Sequence, residues 1–305
     1  MLNVASREQV RIGDTTVTYL PDGEVRLHPT EVFPESAPDG WARHAAYLDE
    51  DGRLPVSVGS FLVRTQSYAA LIDLGLGEVD FEVPGFASFR GGRLLKSLAE
   101  EGIGADDIDV VLFTHLHHDH VGWTTNVAPS PGMATRSVDG LTFARATHYV
   151  RREEWDHWSG VEDVVGPHLE AVQRPLAERI RFVDDPGFDL PGLEILPTAG
   201  HTPGHSSVIV SDSRSNRRLV ILGDVMHTQA QVSDPDWNFR FDVDPDRSRS
   251  TRREVLRRFA GGNDIIAGGH FAGSVFGRIG TPAMIHRWAT WNPSSERPVL
   301  ETAGV

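Results

Sequence analysis

Apolar and polar positions alternate along this chain in two rhythms. Short apolar runs bounded by turn residues predict strands at Val17 to Leu20, Ser57 to Val63, Tyr68 to Asp73, Ile108 to Phe113, Thr147 to Val150, Ile180 to Val183, Leu193 to Pro197, Ser207 to Val210, Leu219 to Leu222 and Asp264 to Ala267. The second rhythm, with apolar residues three or four positions apart, predicts a helix over Arg93 to Glu101, where Leu94, Leu95 and Leu98 share a face and Gly102 lies just past the end. Further helices are expected at Arg152 to Trp158, at His168 to Arg179 and along the charged stretch Asp246 to Phe259. Residues 28–55 keep neither rhythm. Their prolines and isolated aromatics, Phe33, Trp41 and Tyr47, predict an irregular arm that lines a site or a dimer interface. In each half strands dominate first and helices then intervene, which predicts an α+β architecture: two mixed sheets with helices packed on their outer faces. No repeat or low-complexity linker interrupts residues 1–305, so one domain is expected.

Composition narrows the possible partners. With 305 residues, 39% hydrophobic and 24% charged, the chain can bury a substantial core. A net charge of −14 repels polyanions, so nucleic acid and anionic membranes are not expected partners. The absence of cysteine excludes disulfides, thiolate metal sites and cysteine nucleophiles, and leaves histidine and carboxylate as metal ligands. The opening MLNVASREQVRIGD places charges where a signal peptide needs an apolar run, and no stretch of about 18 apolar residues occurs. A cytoplasmic protein is expected.

The chemistry concentrates after IDVVLF, a run that reads as a strand buried on both faces. It delivers the chain into THLHHDHVG, four histidines and one aspartate between His115 and His120. On an extended segment His115 and His117 point to the same side. Asp119 and His120 follow where the chain can turn back, offering a hard oxygen and an imidazole to a second ion. Three later positions also follow apolar runs or flank them: His205 in AGHTPGH, Asp224 in LVILGD and His270 in IIAGGH. If these strands lie side by side with ends aligned, their loops converge, as ligand-binding loops do in layered α/β proteins.

This series of motifs, HxHxDH, GHTPGH, an aspartate after LxxGD and a late GGH, resembles the metallo-β-lactamase superfamily over about Ser57 to His270. The resemblance implies an αββα sandwich with two divalent metal ions, zinc before iron, manganese or cobalt. It assigns His115, His117 and His205 to the first metal, Asp119, His120 and His270 to the second, and Asp224 to both. His118 and His201 fall at non-ligand positions. The implied activity is hydrolysis of a small-molecule carboxylic ester or lactone by a metal-bridging hydroxide, which Asp119 orients and for which it moves a proton. Alternatives from the same superfamily are a phosphotriesterase and an iron-dependent oxidoreductase, and from another class a catalytically silent binding scaffold.

The segments around GSFLV, IDLGLG, HVGW and GDVMH, with FDVDPDRSR beyond, look like the branch that holds N-acyl homoserine lactone lactonases and methyl parathion hydrolase. The best-known lactonases carry a tyrosine three residues after the shared aspartate; His227 stands there, as a donor to the substrate carbonyl or as packing. Pocket walls are expected from the arm, from the turn near Phe86 and Phe89 and from Met226 to Phe241, with Trp41, Met226, Trp237, Phe239 and Phe271 as candidates. Such walls favour an apolar acyl or aryl group over a polyphosphate.

Overall fold

The computed structural model describes residues 3–36, 38–128, 137–281, 286–291 and 299–300. Two mixed sheets lie face to face. The first comprises β1 (Glu8–Ile12), β2 (Thr15–Leu27), β3 (Leu54–Arg64), β4 (Ala69–Ile72), β5 (Asp80–Val83), β6 (Ala87–Arg90), β7 (Val110–Leu112), β8 (Thr147–Val150) and β9 (Ile180–Phe182). The second runs in chain order through β10 (Leu193–Pro197), β11 (Ser206–Ser211), β12 (Arg218–Ile221), β13 (Ile265–Ala267), β14 (Phe276–Gly280), β15 (Arg287–Thr290) and β16 (Val299–Leu300). The helical segments are α1 (Pro29–Val32), α2 (Pro38–Ala42), α3 (Leu94–Glu100), α4 (His118–Val121), α5 (Arg152–Trp158), α6 (Arg174–Ala177), α7 (Ala230–Ser233) and α8 (Pro245–Phe259). No helix among the described residues is long and apolar enough to cross a membrane.

The layering follows from the period-two alternation of strand side chains. Phe61 and Val63 on β3, Ala70 and Ile72 on β4, and Val110 and Leu112 on β7 join Val208, Val210, Leu219 and Ile221 in the core between the sheets. Their odd-one-out neighbours Leu62, Leu71 and Val111 face the other way and pack with Leu94 and Leu98 of α3 and Trp158 of α5. Across the molecule Ile209, Val220 and Ile266 likewise pack on Val255, Leu256 and Phe259 of α8. Both faces of the central strands are therefore buried, which is why they read as continuous apolar runs.

Parallel pairing sets the position of the site. β4 pairs parallel with β7, and β12 with β13, so the chain leaves each pair in a common direction and the following loops gather at one edge.

Several elements differ from the pattern-based expectation. β2 extends to Leu27 because Pro21-Asp22-Gly23 forms a bulge that breaks the alternation without ending the strand. The buried Asp22 carboxylate accepts N–H groups of Leu76, Gly77, Arg93 and Leu94, tying that bulge to the turn after β4 and to the start of α3. The helix expected from His168 to Arg179 is split into a wide turn over Leu169–Gln173 and the short α6, where Pro175 contributes no N–H. The β5–β6 hairpin and β14 to β16 were not legible. The arm, expected to be irregular, folds into α1, α2 and a 3₁₀ turn at Ala45–Tyr47. Its Phe33 and Trp41 pack on Trp237, behind the cavity described below.

Candidate metal centre

Four loops deliver the ligands. The segment after β7 carries His115 and His117, the latter in extended backbone, and α4 then turns Asp119 and His120 toward the same point. The loop between β10 and β11 carries His201, the exit of β12 carries Asp224, and the exit of β13 carries His270. Their potential ligand atoms fall into two groups, each within 4.8 Å: His115, His117, His201 and Asp224, then Asp119, His120 and His270. Asp224 joins them. His120 Nε2, His270 Nε2 and Asp224 Oδ1 form a triangle with sides of 3.3, 3.2 and 3.2 Å. Donors at roughly 2.0–2.1 Å around a tetrahedral zinc stand about 3.3 Å apart, so these spacings suit a cation. The other carboxylate oxygen, Asp224 Oδ2, is 3.6 Å from His115 Nε2 and 3.3 Å from His201 Nε2. His115 Nε2 and Asp224 Oδ1 are buried without hydrogen-bond partners, a costly state unless a cation faces them.

The ligand rings are anchored from behind. His120 Nδ1 lies 2.9 Å from Asp73 Oδ2, and His270 Nδ1 donates to the Ser57 carbonyl at 2.8 Å. His201 Nδ1 lies 2.8 Å from Asp242 Oδ1. Asp73 itself sits in left-handed backbone at φ 62°. That conformation is held by its carboxylate, which accepts the backbone N–H and hydroxyl of Thr114 at 2.8 Å each. Glu154, fully buried on α5, clamps two ligand loops: one oxygen accepts the Leu116 N–H and the other the Thr202 hydroxyl and Gly204 N–H. Gly204 is obligatory there, since a Cβ would stand 2.1 Å from Glu154 N.

The electrostatics follow the carboxylates. Burial and the neighbouring histidines hold His115 and His117 well below the ordinary imidazole value. Burial also opposes charge on His120, but Asp224, Asp73 and Asp119 outweigh it and raise its pKa well above the ordinary value. For His201 burial is likewise overcome, here by Asp224 and Asp242, giving about 9. Asp224 stays ionised because His120 and His270 overcome its burial. An anionic carboxylate ringed by imidazoles competing for protons is a site where divalent cations displace those protons.

One expected ligand lies elsewhere. His205 turns its ring under the β12 exit, where its Nε2 accepts the Asp224 N–H at 2.8 Å and its Nδ1 lies 3.0 Å from the Thr198 carbonyl. Gly223, at φ 58°, makes this approach possible: a Cβ there would stand 2.6 Å from His205 Nε2. His201, read from the motif as a non-ligand, occupies the place expected for His205, with Nε2 2.9 Å from His117 Nδ1. His118 points away from the metal cluster, onto the wall beside Phe89.

A cavity of about 540 Å³ opens above the cluster, floored by His117, Asp119, Asp224, His227 and His270. Its walls are Val25, Leu27, Val56, Phe81, Phe86, Phe89, Phe239 and Phe241. Of the aromatic and Met candidates between Trp41 and Phe271, Phe239 lines it. Trp41, Met226, Trp237 and Phe271 are buried in the apolar clusters behind, because the arm and α8 cover them. His227 stacks on Phe239 at 3.8 Å between ring centroids, and its Nε2 is 3.1 Å from Asp224 Oδ2. Burial pushes its pKa down to about 4, so the ring is neutral near pH 7.

The family model described as "Metallo-beta-lactamase superfamily" matches residues 53–270. The chain is 25% identical over 193 residues to an N-acyl homoserine lactonase of Bacillus thuringiensis, an alignment covering 59% of this chain and 68% of that protein. Among solved structures, the dizinc quorum-quenching lactonase AidC, in complex with a product, superposes with a TM-score of 0.80 at 21% identity, over 95% of this chain and 99% of that one. The hydrolase AbOPH gives 0.77 at 24% identity, again over 95% and 99%. The two-sheet sandwich is thus a fold shared with a dizinc lactonase, and in this chain it brings together two groups of residues that could hold metal ions.

Proposed function

The chain belongs to the metallo-β-lactamase superfamily, and from that premise we propose that it is a dinuclear-metal hydrolase of carboxylic esters, with lactones bearing an apolar acyl group as its substrates. His115, His117 and His201 would hold one ion, Asp119, His120 and His270 the other, with Asp224 shared. Zinc is the ion this donor set favours, although iron, manganese and cobalt take the same ligands. Two bound divalent ions supply a hydroxide near neutral pH and polarise the scissile carbonyl.

The observation that carries this reading is the pairing of a two-group ligand floor with an apolar cavity above it. Val83 and Val164, 42% and 92% exposed, extend the apolar lining to the mouth, where a long acyl chain gains by leaving water. At the floor, Asp119 is the ligand residue that keeps solvent contact, which suits it to take a proton from the nucleophile and return it to the leaving alkoxide. Neutral His227, fixed by Phe239, is suited to donate N–H to the carbonyl oxygen as charge develops there. Relatedness to an N-acyl homoserine lactonase points to the same substrate class.

The test is metal analysis coupled to a hydrolysis panel. Zinc-loaded protein is expected to hold two ions per chain and to release acid from acyl lactones and aryl esters. Turnover of aryl phosphotriesters alone would move the reaction to phosphorus. One iron per chain with oxygen consumption would move it to oxidation.

A further inference from the structure

Behind the cluster lies a buried ion pair that the hydrolytic chemistry leaves unused. Arg252 of α8 and Asp242 have side chains with no solvent exposure, 3.6 Å apart. Burying a guanidinium and a carboxylate is costly unless each is fully engaged. Both are. Asp242 directs Oδ1 at His201 Nδ1, 2.8 Å away, and accepts the Phe239 N–H through Oδ2 at 3.1 Å. Arg252 donates from Nε to the Val225 carbonyl at 2.9 Å and from Nη1 to the Pro235 carbonyl at 2.7 Å.

We infer that Asp242, held by Arg252, is the positioning residue that fixes His201 as a metal ligand and sets the affinity of one of the two metal sites. The inference rests on the dinuclear reading above. Asp242 accepts the proton on Nδ1, which leaves the Nε2 lone pair aimed at His117 and Asp224. Backbone pairing brings the two residues together, since the Val243 N–H donates to the His201 carbonyl and the Asp244 N–H to the Gly200 carbonyl. The other ligand group has separate anchors: His120 uses Asp73 and His270 uses the Ser57 carbonyl. Loss of Asp242 should therefore act on one site, whereas loss of Arg252, which also holds the chain beside the shared Asp224, should act on both.

Competition of wild-type protein and variants with a chromophoric chelator for cobalt, with bound metal counted, tests this. Asp242→Asn is expected to bind one equivalent as the wild type does and the other about 10- to 100-fold more weakly, the usual penalty for losing an outer carboxylate on a ligating histidine. Arg252→Met is expected to weaken both equivalents. If Asp242→Asn does not fold, as judged by circular dichroism, Asp242→Ser takes its place with the same expectation. A folded Asp242 variant that keeps both affinities, or loses both equally, overturns the inference. A wild-type protein that binds no cobalt overturns the dinuclear reading itself and this inference with it.

Discussion

The floor and the wall of the cavity are built on different physics. On the floor, His120, His201 and His270 each commit the nitrogen facing away from the cluster to a carboxylate or carbonyl, so each ring has one orientation. The wall has no such anchors. Phe81 stacks on Phe89 at 4.7 Å and Phe86 meets Phe241 edge-on at 5.9 Å, contacts that tolerate displacement because dispersion and burial are weakly directional. Metal-centred chemistry needs donors placed within a fraction of an ångström, whereas an acyl chain needs only apolar area. If the proposed function holds, chemistry and specificity are separable here: changes to the floor should alter metal binding and turnover, and changes to the wall should alter which substrates are accepted.

The strongest test of that separation removes the carboxylate common to both ligand groups. Asp224→Ala is expected to hold fewer than one metal per chain, to lose turnover to background, and to be destabilised by about 3–5 kcal/mol, the scale for orphaning one partner of a buried charged cluster; metal counting and denaturant unfolding read both effects. Full metal content and activity would remove Asp224 from the centre. His227→Ala should retain both metals and lower kcat roughly ten- to a thousandfold, as for loss of one oxyanion donor. Unchanged kinetics would make His227 part of the wall, a packing partner of Phe239. On the wall proper, Phe241→Ala should lower kcat/KM for long-chain lactones by about tenfold or more, from the roughly 1.5–3 kcal/mol of a buried aromatic side chain, and leave short-chain substrates and metal content nearly unchanged. Equal losses for all chain lengths would contradict the assigned division.

A smaller effect is expected outside the site. His148 is a buried histidine on β8, beside Phe113, and burial lowers its pKa to about 4. Its folded pKa is below the unfolded value of about 6.5, so its contribution is fully present above pH 6.5. As pH falls toward 4 the unfolded state takes up the proton first, and stability drops by up to about 1.4 kcal/mol per pH unit. Unfolding in excess chelator should show a shallower acid loss in His148→Phe than in the parent; parallel pH profiles would rule out this linkage. The floor histidines His120 and His201, with carboxylates beside them, shift the opposite way.

How much of this was legible in the sequence varies with the range of the interaction. The central strands of the sandwich were, because residues buried on both faces leave continuous apolar runs such as IDVVLF. The β5–β6 hairpin was not, since its strands sit at a sheet edge with exposed Asp80, Glu82 and Val83 and so carry little apolar signal. Phe239 was recognisable as a wall residue only as one aromatic among several. Trp41 and Trp237 have the same composition signal but face each other at 5.0 Å in the packing behind it.

The histidine cluster marks the final division. Local sequence determined that His115, His117, Asp119 and His120 would converge, because they lie within one short segment whose geometry is set by the end of β7 and one helical turn. In AGHTPGH the motif pointed to His205 as the ligand, and nothing local could show that His201 fills that place. Tertiary structure did. His205, at the start of β11, is carried beneath Gly223 and takes up the Asp224 N–H, while pairing of residues 200–201 with 243–244 swings His201 over the cluster and against Asp242. Those partners lie 19 and 41 residues away from the histidines they orient, and contacts across such distances exist only once the second sheet, α8 and the segment before it have packed.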